Sequence, residues 1–426
     1  MVSPARSAAY EVLCRVELGG AFCDQLLSSK LLAQADERDR NLATEMCYGT
    51  LRWRLALDDL LGRTSARPWE KVDARARILL RIGLYQLWHT DRVPDHALVN
   101  DAVEIAKHRL GRGCAGFVNG ILRSLARERP WEKDGFDAAR PDWVRASLPE
   151  WLWKRWLDRH GREQALEYAL SLNRPPQCAA WDCRRPDGVS SIVGSPSPVV
   201  PGALLFDRRP EDRHLWMQDE ASQYIPHLLG PVAGGRIWDC CAAPGGKTGI
   251  LSSLCGADGF VIASDLSIKR AGHMKGPLGR LGWKKPAVLV ADATASCPFR
   301  DGSFDAVLAD VPCSGLGTLR RNPEIKWRFD PGRLAALQRR QVSILDAVSG
   351  AVRRGGVLLY STCSTEPEEN EQVINAFLAS HRYFELRRPD VPQGVERWLD
   401  PVGLLRTYPS ERRWDGFFAA LMFRFS

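Results

Sequence analysis

One short stretch, Arg236–Gly249, constrains the fold more than any other part of the chain. Two apolar residues, Ile237 and Trp238, predict a short buried strand that ends at Asp239. A run of small residues then permits a tight turn, and Lys247–Leu254 predicts the helix behind it. In an α/β sheet, a glycine-rich turn from strand to helix is where nucleotide-like ligands bind, because small residues let backbone N–H groups approach the ligand.

Two ligands fit this turn. Cys241–Thr248 differs from the phosphate loop Gly-x-x-x-x-Gly-Lys-Ser/Thr only at its first position, and Val307–Asp310 would serve as the strand that ends in a magnesium-binding aspartate. The alternative is S-adenosylmethionine. Asp265 ends the next strand, nineteen residues after Gly246, where an acid is placed to bond a ribose hydroxyl. A phosphate loop does not require this acid, so the sequence favours the adenosyl ligand and leaves a triphosphate open.

From Arg236 onward, apolar strand-like runs alternate with helix-like segments. This alternation predicts a parallel sheet covered by helices on both faces. The predicted strands are Ile237–Cys240, Phe260–Ser264, Ala287–Ala291, Phe304–Ala309 and Val357–Tyr360, and the predicted helices are Thr248–Cys255, Ser267–Leu281, Arg333–Val352 and Pro367–Ser380.

The part of the chain before this sheet divides into three segments. Residues 1–128 predict an all-helical domain, in which Ile78–Trp88 is apolar enough to be the central buried helix. Residues 129–170, rich in Trp and Pro, indicate a helical connector. Residues 171–215, with Pro, Gly and short β-like runs, indicate a small subdomain ahead of a core at 216–426.

Composition limits the class of protein. The 426 residues suffice for two or three domains, and no apolar run is long enough to span a membrane. Twelve cysteines occur without a C-x-x-C pair, so neither a zinc site nor a disulfide framework is indicated, and a reducing cytoplasm is expected. The net charge of +8 suits an RNA partner but does not establish one.

Three motifs carry a resemblance to a known family. They are Asp239–Thr248 (Asp-Cys-Cys-Ala-Ala-Pro-Gly-Gly-Lys-Thr), Asp310–Gly315 (Asp-Val-Pro-Cys-Ser-Gly) and Ser361–Ser364 (Ser-Thr-Cys-Ser). Together they resemble the motifs of the NOL1/NOP2/Sun family of RNA cytosine-C5 methyltransferases. The combination is highly specific, because no single fold requirement forces all three motifs in this order. The resemblance covers nearly the whole chain, including its first 130 residues.

The resemblance implies a multidomain α and α/β protein. It would have an all-helical NusB-like RNA-binding domain, a small α+β subdomain that grips RNA, and a Rossmann-like class I methyltransferase core in which Phe417–Phe423 is an antiparallel strand near the sheet edge. Buried polar residues such as Arg81 and Gln86 are predicted to tie the helices together. At Cys178–Arg184 the chain departs from the family, which usually has a strand ending in Arg-x-Asn, so RNA contacts there are not carried over.

The resemblance also implies a substrate and a cofactor. The partner would be small-subunit ribosomal RNA, naked or partly assembled, and the cofactor S-adenosylmethionine. The activity would be methylation of C5 at cytosine 967 of 16S rRNA by a monomer. Three alternatives remain: the same chemistry on transfer RNA, a variant phosphate-loop ATPase, and a non-catalytic RNA-binding factor.

Methylation at C5 requires activation of the base. Cytosine C5 is a poor nucleophile, and a thiolate that adds at C6 makes C5 enamine-like, which divides one hard step into easier ones. Cys313 and Cys363 both follow predicted strands, and spacing alone does not choose between them. The resemblance implies Cys363 as nucleophile, Cys313 as a helper in product release, Asp310 at the cytosine N3/N4 edge, and Lys247 beside the reacting centre.

The remaining site predictions concern the cofactor and the RNA backbone. No metal site is predicted. Basic residues follow the Cys313 motif and alternate with Trp327 and Phe329, a pattern that suits an RNA track or a solvated surface; they are Arg320, Arg321, Lys326, Arg328 and Arg333. The predicted cofactor-binding residues are Cys241, Ala242, Ala243, Pro244, Gly245, Gly246, Lys247, Asp265, Asp292, which the resemblance places at the adenine, and Asp310.

Overall fold

The computed structural model describes residues 2–32, 35–90, 94–184, 194–295, 297–409 and 414–426. The chain forms two compact units. The helical unit comprises the chain up to Pro175 together with Leu319–Arg328, and the sheet unit comprises Pro176–Thr318 and Phe329–Ser426. Among the described residues, no helix is both long and apolar enough to cross a membrane.

The helical unit is built around α5, as its sequence predicts. Residues 78–87 of α5 are all buried, so neighbouring helices pack around this segment. The helices of the unit before Pro175 are α1 (Pro4–Gly19), α2 (Cys23–Leu27), α3 (Glu37–Arg52), α4 (Arg54–Thr64), α5 (Ala74–His89), α6 (Asp95–Arg109), α7 (Arg112–Glu128), α8 (Asp142–Arg145) and α9 (Glu150–Ser171).

Buried polar residues tie these helices together. The guanidinium of Arg81 donates to Asp58 Oδ1 at 2.6 Å and to Glu17 Oε2 at 2.6 Å. Arg6 Nε donates to Gln86 Oε1 at 3.0 Å. The structural role predicted for Arg81 and Gln86 is therefore confirmed.

The return of Leu319–Arg328 to the helical unit contradicts the RNA-track prediction for its central residues. Arg320 and Lys326 are only 1% and 2% exposed. Lys326 Nζ donates to Arg52 O, Ser147 O and Asn173 Oδ1 at 3.3, 3.2 and 3.1 Å. Because this ammonium is surrounded by protein acceptors, it does not face a phosphate backbone.

Two further residues of this segment, Trp327 and Arg328, form hydrogen bonds with the helical unit. Trp327 Nε1 donates to Leu51 O at 2.8 Å, and Arg328 donates to Ala21 O at 2.7 Å. A short helix, α13 (Ile325–Arg328), carries Lys326 and both of these contacts. Of the five basic residues proposed as a track, Arg333 is exposed, whereas Arg320, Lys326 and Arg328 are structural.

The sheet unit begins with a small antiparallel sheet in the order β2-β3-β1-β4. Cys178–Asp182, where the sequence departs from the family pattern, still forms its central strand β1 and pairs with both β3 and β4. Residues 185–193 of the predicted small subdomain lie outside the described residues. The four strands are β1 (Cys178–Asp182), β2 (Ser195–Pro196), β3 (Ala203–Phe206) and β4 (Leu215–Met217).

The main sheet has the order β10-β12-β9-β8-β5-β6-β7, with β11 paired to β12. The five strands from β9 to β7 are parallel, and β12 runs antiparallel between β9 and β10. The predicted parallel sheet and antiparallel final strand are confirmed. The strands are β5 (Arg236–Asp239), β6 (Phe260–Asp265), β7 (Ala287–Val290), β8 (Phe304–Asp310), β9 (Val352–Thr362), β10 (Phe384–Leu386), β11 (Leu405–Arg406) and β12 (Phe418–Arg424).

Helices accompany these strands at nearly the predicted places. They are α10 (Glu220–Tyr224), α11 (Gly246–Cys255), α12 (Ile268–Leu278), α14 (Leu334–Ser349) and α15 (Glu371–Ser380).

The helix predicted at Pro367–Ser380 is divided. A 3₁₀ turn covers Pro367–Glu369, and Asn370 has non-helical angles (φ −117°, ψ −100°) before α15 begins. The cause is the Asn370 side chain, which accepts from Thr362 Oγ1 at 2.7 Å and donates to Ser364 O at 3.0 Å. These bonds hold Asn370 against the end of β9 and set the start of the helix.

Candidate active site

A cavity of about 270 Å³ lies at the carboxyl edge of the parallel strands. Its volume is near the lower end of the range for small-molecule sites, about 300–1,000 Å³. Parallel strands bring their carboxyl ends to one edge, so residues distant in sequence meet there. Seven of the predicted site residues line this cavity: Cys241, Ala243, Asp265, Asp292, Asp310, Cys313 and Cys363.

Two residues of the glycine turn, Cys241 and Ala243, line the cavity. Ala242, Pro244, Gly245, Gly246 and Lys247 do not line the cavity. The backbone of the turn is fixed by hydrogen bonds from Ala242 N to Ser264 O (2.8 Å) and from Gly245 N to Ala242 O (2.7 Å).

Gly246 is required by its neighbours within the protein. A Cβ at this position would lie 2.6 Å from Gln218 Oε1 and 3.1 Å from Trp216 Nε1. The space that a ligand would occupy at Gly246 is therefore filled by Trp216 of β4 and by Gln218, which follows β4. Ligand binding by the second half of the turn stays a prediction.

Two acidic residues form one wall of the cavity. Asp265 ends β6, is buried, accepts from Ser267 N at 3.0 Å and pairs with Arg270 at 3.2 Å. Asp292 follows β7 and accepts from both the hydroxyl and the backbone N–H of Thr294, at 2.7 and 2.8 Å. These hydrogen bonds lower the pKa of Asp292 and keep it ionised.

Arginines accompany these acids. Arg270 and Arg340 both line the cavity, and sequence reasoning missed both. Arg270 also donates to Ala243 O at 2.8 Å, which links the acidic wall to the glycine turn. Each arginine lies on a helix that follows or precedes a motif by many residues, so no local signal in the sequence marked it.

Lys247 and Asp310 form the second group of polar residues. Lys247 Nζ lies 2.7 Å from Asp310 Oδ2, and Ser361 Oγ donates to Asp310 Oδ1 at 2.6 Å. The register that pairs Asp310 with Ser361 across β8 and β9 makes this contact possible. Asp310, which lines the cavity, is thereby held at both of its carboxylate oxygens.

The neighbouring Thr248 is not available to a metal. It is fully buried and donates its hydroxyl to Asp239 Oδ2 at 2.6 Å. A phosphate loop needs its lysine on the phosphates and its threonine on magnesium. Because Lys247 is held by Asp310 and Thr248 by Asp239, the arrangement does not serve a triphosphate.

The two candidate nucleophiles are adjacent. Cys313 Sγ and Cys363 Sγ are 3.2 Å apart, one in the loop after β8 and one directly after β9. The hydrogen bond with Cys363, together with burial, raises the pKa of the Cys313 thiol well above its ordinary value. Cys313 is therefore held as a neutral thiol that can donate to the sulfur of Cys363.

Two parts of the chain match known protein families. Residues 226–423 match the family described as 16S rRNA methyltransferase RsmB/F, and residues 3–127 match the NusB family. A Bacillus subtilis (strain 168) protein named "Probable ribosomal RNA small subunit methyltransferase B" is 33% identical over 98% of each chain. The chain belongs to the RsmB/F family of 16S rRNA methyltransferases. The resemblance to the NOL1/NOP2/Sun family is confirmed.

One further relative and two solved structures are also similar to this chain. A Pseudomonas putida (strain KT2440) protein named "Ribosomal RNA small subunit methyltransferase B" is 33% identical over 88% of each chain. In fold, the chain is similar to the crystal structure of PH0851, with a TM-score of 0.78, 23% identity, and coverage of 100% of this chain and 99% of that one. A structure of NSun6 from Pyrococcus horikoshii with SFG has a TM-score of 0.56 and 20% identity, and covers 66% of this chain and 99% of that one.

As an RsmB/F member the protein is an S-adenosylmethionine-dependent RNA methyltransferase. The cavity fits this cofactor chemically. Leu266, a cavity residue that is 51% exposed, offers apolar surface to an adenine ring. Asp265 and Asp292 offer carboxylates to hydroxyl and amino groups, and Asp310 adds a third acid near the thiols.

Proposed function

We propose that this protein methylates C5 of a cytosine in small-subunit ribosomal RNA, cytosine 967 of 16S rRNA, through a covalent cysteine adduct. The observation that carries the proposal is the pair of thiols, Cys313 and Cys363, 3.2 Å apart beside Asp310. A methyltransferase that acts on an already nucleophilic atom has no need of a thiol in its cavity. C5 methylation needs one.

Cys363 is the nucleophile in this proposal. Burial and the hydrogen bond with Cys363 raise the pKa of the Cys313 thiol, so Cys313 keeps its proton and serves as the donor. The resemblance of Ser361–Ser364 to the family motif assigns the attack to Cys363. The thiolate forms a bond to C6 of the cytosine, and the electron pair of the C5–C6 double bond moves toward C5. Asp310, oriented by Lys247 and Ser361, hydrogen-bonds the N3/N4 edge of the base.

S-adenosylmethionine, when bound, would supply an electrophilic methyl group to C5, with the electron pair of the S–CH₃ bond staying on sulfur as S-adenosylhomocysteine leaves. A base then removes the C5 proton, the electron pair reforms the double bond, and Cys363 leaves C6. Cys313, which lies against Cys363, assists this release as a proton donor to the departing sulfur. Asp265 would hold the ribose hydroxyls of the cofactor and Asp292 its adenine, with the turn at Cys241–Gly246 beside them.

The proposal also assigns a role to each segment of the chain. We assign residues 1–128 as the NusB-like RNA-binding domain and residues 129–170 as a connector. Residues 171–215 are assigned as a small RNA-binding subdomain and residues 216–426 as the catalytic core. The protein is proposed to act as a monomer in the cytoplasm, where twelve free thiols persist in reduced form.

A trapping assay tests the mechanism. Wild type, Cys363→Ala and Cys313→Ala are each incubated with 16S rRNA transcript and methyl-labelled S-adenosylmethionine. We expect Cys363→Ala to abolish transfer and Cys313→Ala to accumulate a covalent protein–RNA adduct on denaturing gels. Exchange of these two behaviours would move the nucleophile to Cys313 and overturn the assignment.

The substrate is tested with matched RNAs. A transcript in which cytosine 967 is replaced by uridine should accept no label, whereas the unaltered transcript does. Label in the altered transcript would refute the position, and transfer to transfer RNA without transfer to 16S rRNA would refute the substrate class. Naked transcript and partly assembled particles are compared in parallel.

A further inference from the structure

Glu369 lies at the junction of the two cysteine loops without facing the cavity. It ends the 3₁₀ turn after β9 and is completely buried. Its Oε1 accepts from Ser314 N at 2.8 Å and from Gln341 Nε2 at 3.0 Å. Its Oε2 accepts from Ser314 Oγ and Ser364 Oγ, both at 2.5 Å.

These partners are the immediate neighbours of the two thiols. Ser314 follows Cys313 and Ser364 follows Cys363, and the two loops are separated by 50 residues of chain. One carboxylate oxygen therefore binds both loops at the residue after each cysteine. The two serine hydroxyls are themselves 3.2 Å apart, the same distance as the two sulfurs.

We propose that Glu369 is a positioning residue that sets the separation of Cys313 and Cys363 by bonding both of their loops. This inference rests on the proposed function for its catalytic meaning. Glu369 does not line the cavity, so it acts through the loops and not on the substrate.

The chemistry of the site suits a carboxylate. All four contacts are donated to Glu369, from one backbone N–H, two hydroxyls and one amide. An ionised carboxylate only accepts, and can satisfy four donors at once. A glutamine of the same size loses the charge, and its N–H₂ group can bond the two serines only if both hydroxyls turn to accept, so the charge-assisted bridge is weakened.

The rest of the turn is fixed to the same strand end. Tyr360 Oη donates to Glu369 O at 2.6 Å, and Asn370 bonds Thr362 and Ser364. Glu369 is thus anchored to β9 through its backbone while its side chain reaches the loop after β8. The loop that carries Cys313 is therefore held in a fixed position relative to β9, the strand that ends just before Cys363.

The negative charge adds a second effect. After the hydrogen bond with Cys363 and burial, the charge of Glu369 also contributes to raising the pKa of Cys313. Loss of this charge favours ionisation of Cys313 and so weakens the distinction between the two sulfurs. For catalysis, geometry and charge act together. In disulfide formation they oppose each other, because loss of the charge favours the reactive thiolate whereas loss of the bridge separates the sulfurs. Ser314→Ala and Ser364→Ala keep the charge and change the geometry alone.

The test compares Glu369→Gln with Glu371→Gln. Glu371 lies two residues away and pairs with Arg406 at 2.6 Å, and among the described residues no hydrogen bond joins it to Ser314 or Ser364, so it is a matched control. The first readout needs no RNA: the rate of Cys313–Cys363 disulfide formation with diamide, which takes up the two hydrogens of the thiols, followed by peptide mass spectrometry. The second readout is kcat and KM for methyl transfer to 16S rRNA.

We expect Glu369→Gln to slow the disulfide reaction and to lower kcat by about 10- to 100-fold, the scale of a 1 Å misplacement of reacting groups. KM for RNA should change less than about 2-fold, because RNA contacts are untouched. Glu371→Gln should match wild type in both readouts. Unchanged kcat and disulfide rate in Glu369→Gln would overturn the proposal.

A second pair of variants covers failure of Glu369→Gln to fold. Ser314→Ala and Ser364→Ala each remove one donor to Glu369 and keep the carboxylate. Each should slow both reactions, and the double variant should not exceed the effect of losing Glu369. If neither serine variant alters the disulfide rate, the positioning role is refuted. If wild type transfers no methyl group while the disulfide rates still differ, the proposed function fails and the positioning role stands.

Discussion

The ammonium of Lys247 and the carboxylate of Asp310 are joined at 2.7 Å, although 63 residues separate them in the chain. The lysine comes from the first residues of α11 and the aspartate from the end of β8. Ser361 holds the other carboxylate oxygen. A carboxylate fixed on both oxygens is preorganised, so its direction toward a base does not have to be established during the reaction.

Replacement of Asp310 by asparagine should therefore reduce catalysis without unfolding the protein. We expect kcat for methyl transfer to fall by about 10²–10⁴-fold, the usual contribution of a positioned polar group in acid–base work. Single-turnover transfer to 16S rRNA measures this. Asp305→Asn is the control, since Asp305 lies on the same strand but pairs with Arg353 at the opposite end. An equal loss of kcat in both variants would contradict the assignment.

Asp239 predicts a pH dependence of stability. Burial raises its pKa to about 7, and its Oδ1 has no hydrogen-bond partner among the described residues. The folded-state pKa lies above the unfolded value, so the folded state holds the proton between about pH 4 and 7. The contribution of this proton to the free energy of unfolding is fully present below pH 4. It is lost as the pH rises through 7, and the free energy of unfolding falls by about 4 kcal/mol at most.

Asp239→Asn removes this titration and keeps an acceptor for Thr248. Calorimetric melting at several pH values should show the wild-type Tm falling between pH 4 and 7 relative to the variant. Parallel curves for the two proteins over this range would contradict the raised pKa. The comparison is of differences between two proteins, so titration of other groups cancels.

The lowered pKa of Lys326 predicts that stability depends on pH with the opposite sign. Burial lowers its pKa to about 7, below the value in the unfolded chain. The folded state therefore binds fewer protons between pH 7 and 10.5, and wild-type stability gains with pH over this range. Lys326→Met should lower the free energy of unfolding by about 1–3 kcal/mol, because three acceptors lose their donor, and the deficit should grow toward pH 10.

The control for Lys326 is Lys154→Met on α9. Lys154 pairs with Glu150 on an exposed helix face, so its loss should change stability by less than about 0.5 kcal/mol. Thermal melting of wild type, Lys326→Met and Lys154→Met at pH 7 and 9.5 measures these differences in stability. RNA affinity should fall no further for Lys326→Met than its stability explains, and a reduced salt dependence of binding would restore the RNA track.

The sequence predicted those parts of the site that depend on local patterns. The glycine turn, the acids at strand ends and the two cysteines each stand in a motif, and parallel strands bring their carboxyl ends together. The cavity that contains Asp265, Asp310 and Cys363 follows from these facts. The fold of the sheet was predictable for the same reason, since alternating apolar runs decide it.

Residues that act through distant contacts were not predictable. Glu369 is one of four glutamates in residues 366–371, and nothing local marks it as the one that meets Ser314. Lys326 stands in a basic, aromatic stretch typical of a surface, yet tertiary packing buries it. In both cases the role of the side chain depends on a partner more than 50 residues away in the chain, Ser314 for Glu369 and Asn173 for Lys326.

Replacement of Gly246 tests whether this glycine is needed for packing within the protein or for contact with the ligand. Gly246→Ala would place a Cβ 2.6 Å from Gln218 Oε1. Gln218 is held by Trp181 Nε1 at 3.0 Å and by Ser222 at 2.9 Å, so it does not move aside without loss of these bonds. We expect a destabilisation of about 1–3 kcal/mol, as for other overpacked sites, visible as a lower Tm without any ligand.

Gly272→Ala on α12 is the control, because a Cβ there meets nothing within 4 Å and an alanine in a helix is favoured over glycine. Unchanged stability of Gly246→Ala together with loss of S-adenosylmethionine binding would instead show that this glycine serves the ligand directly.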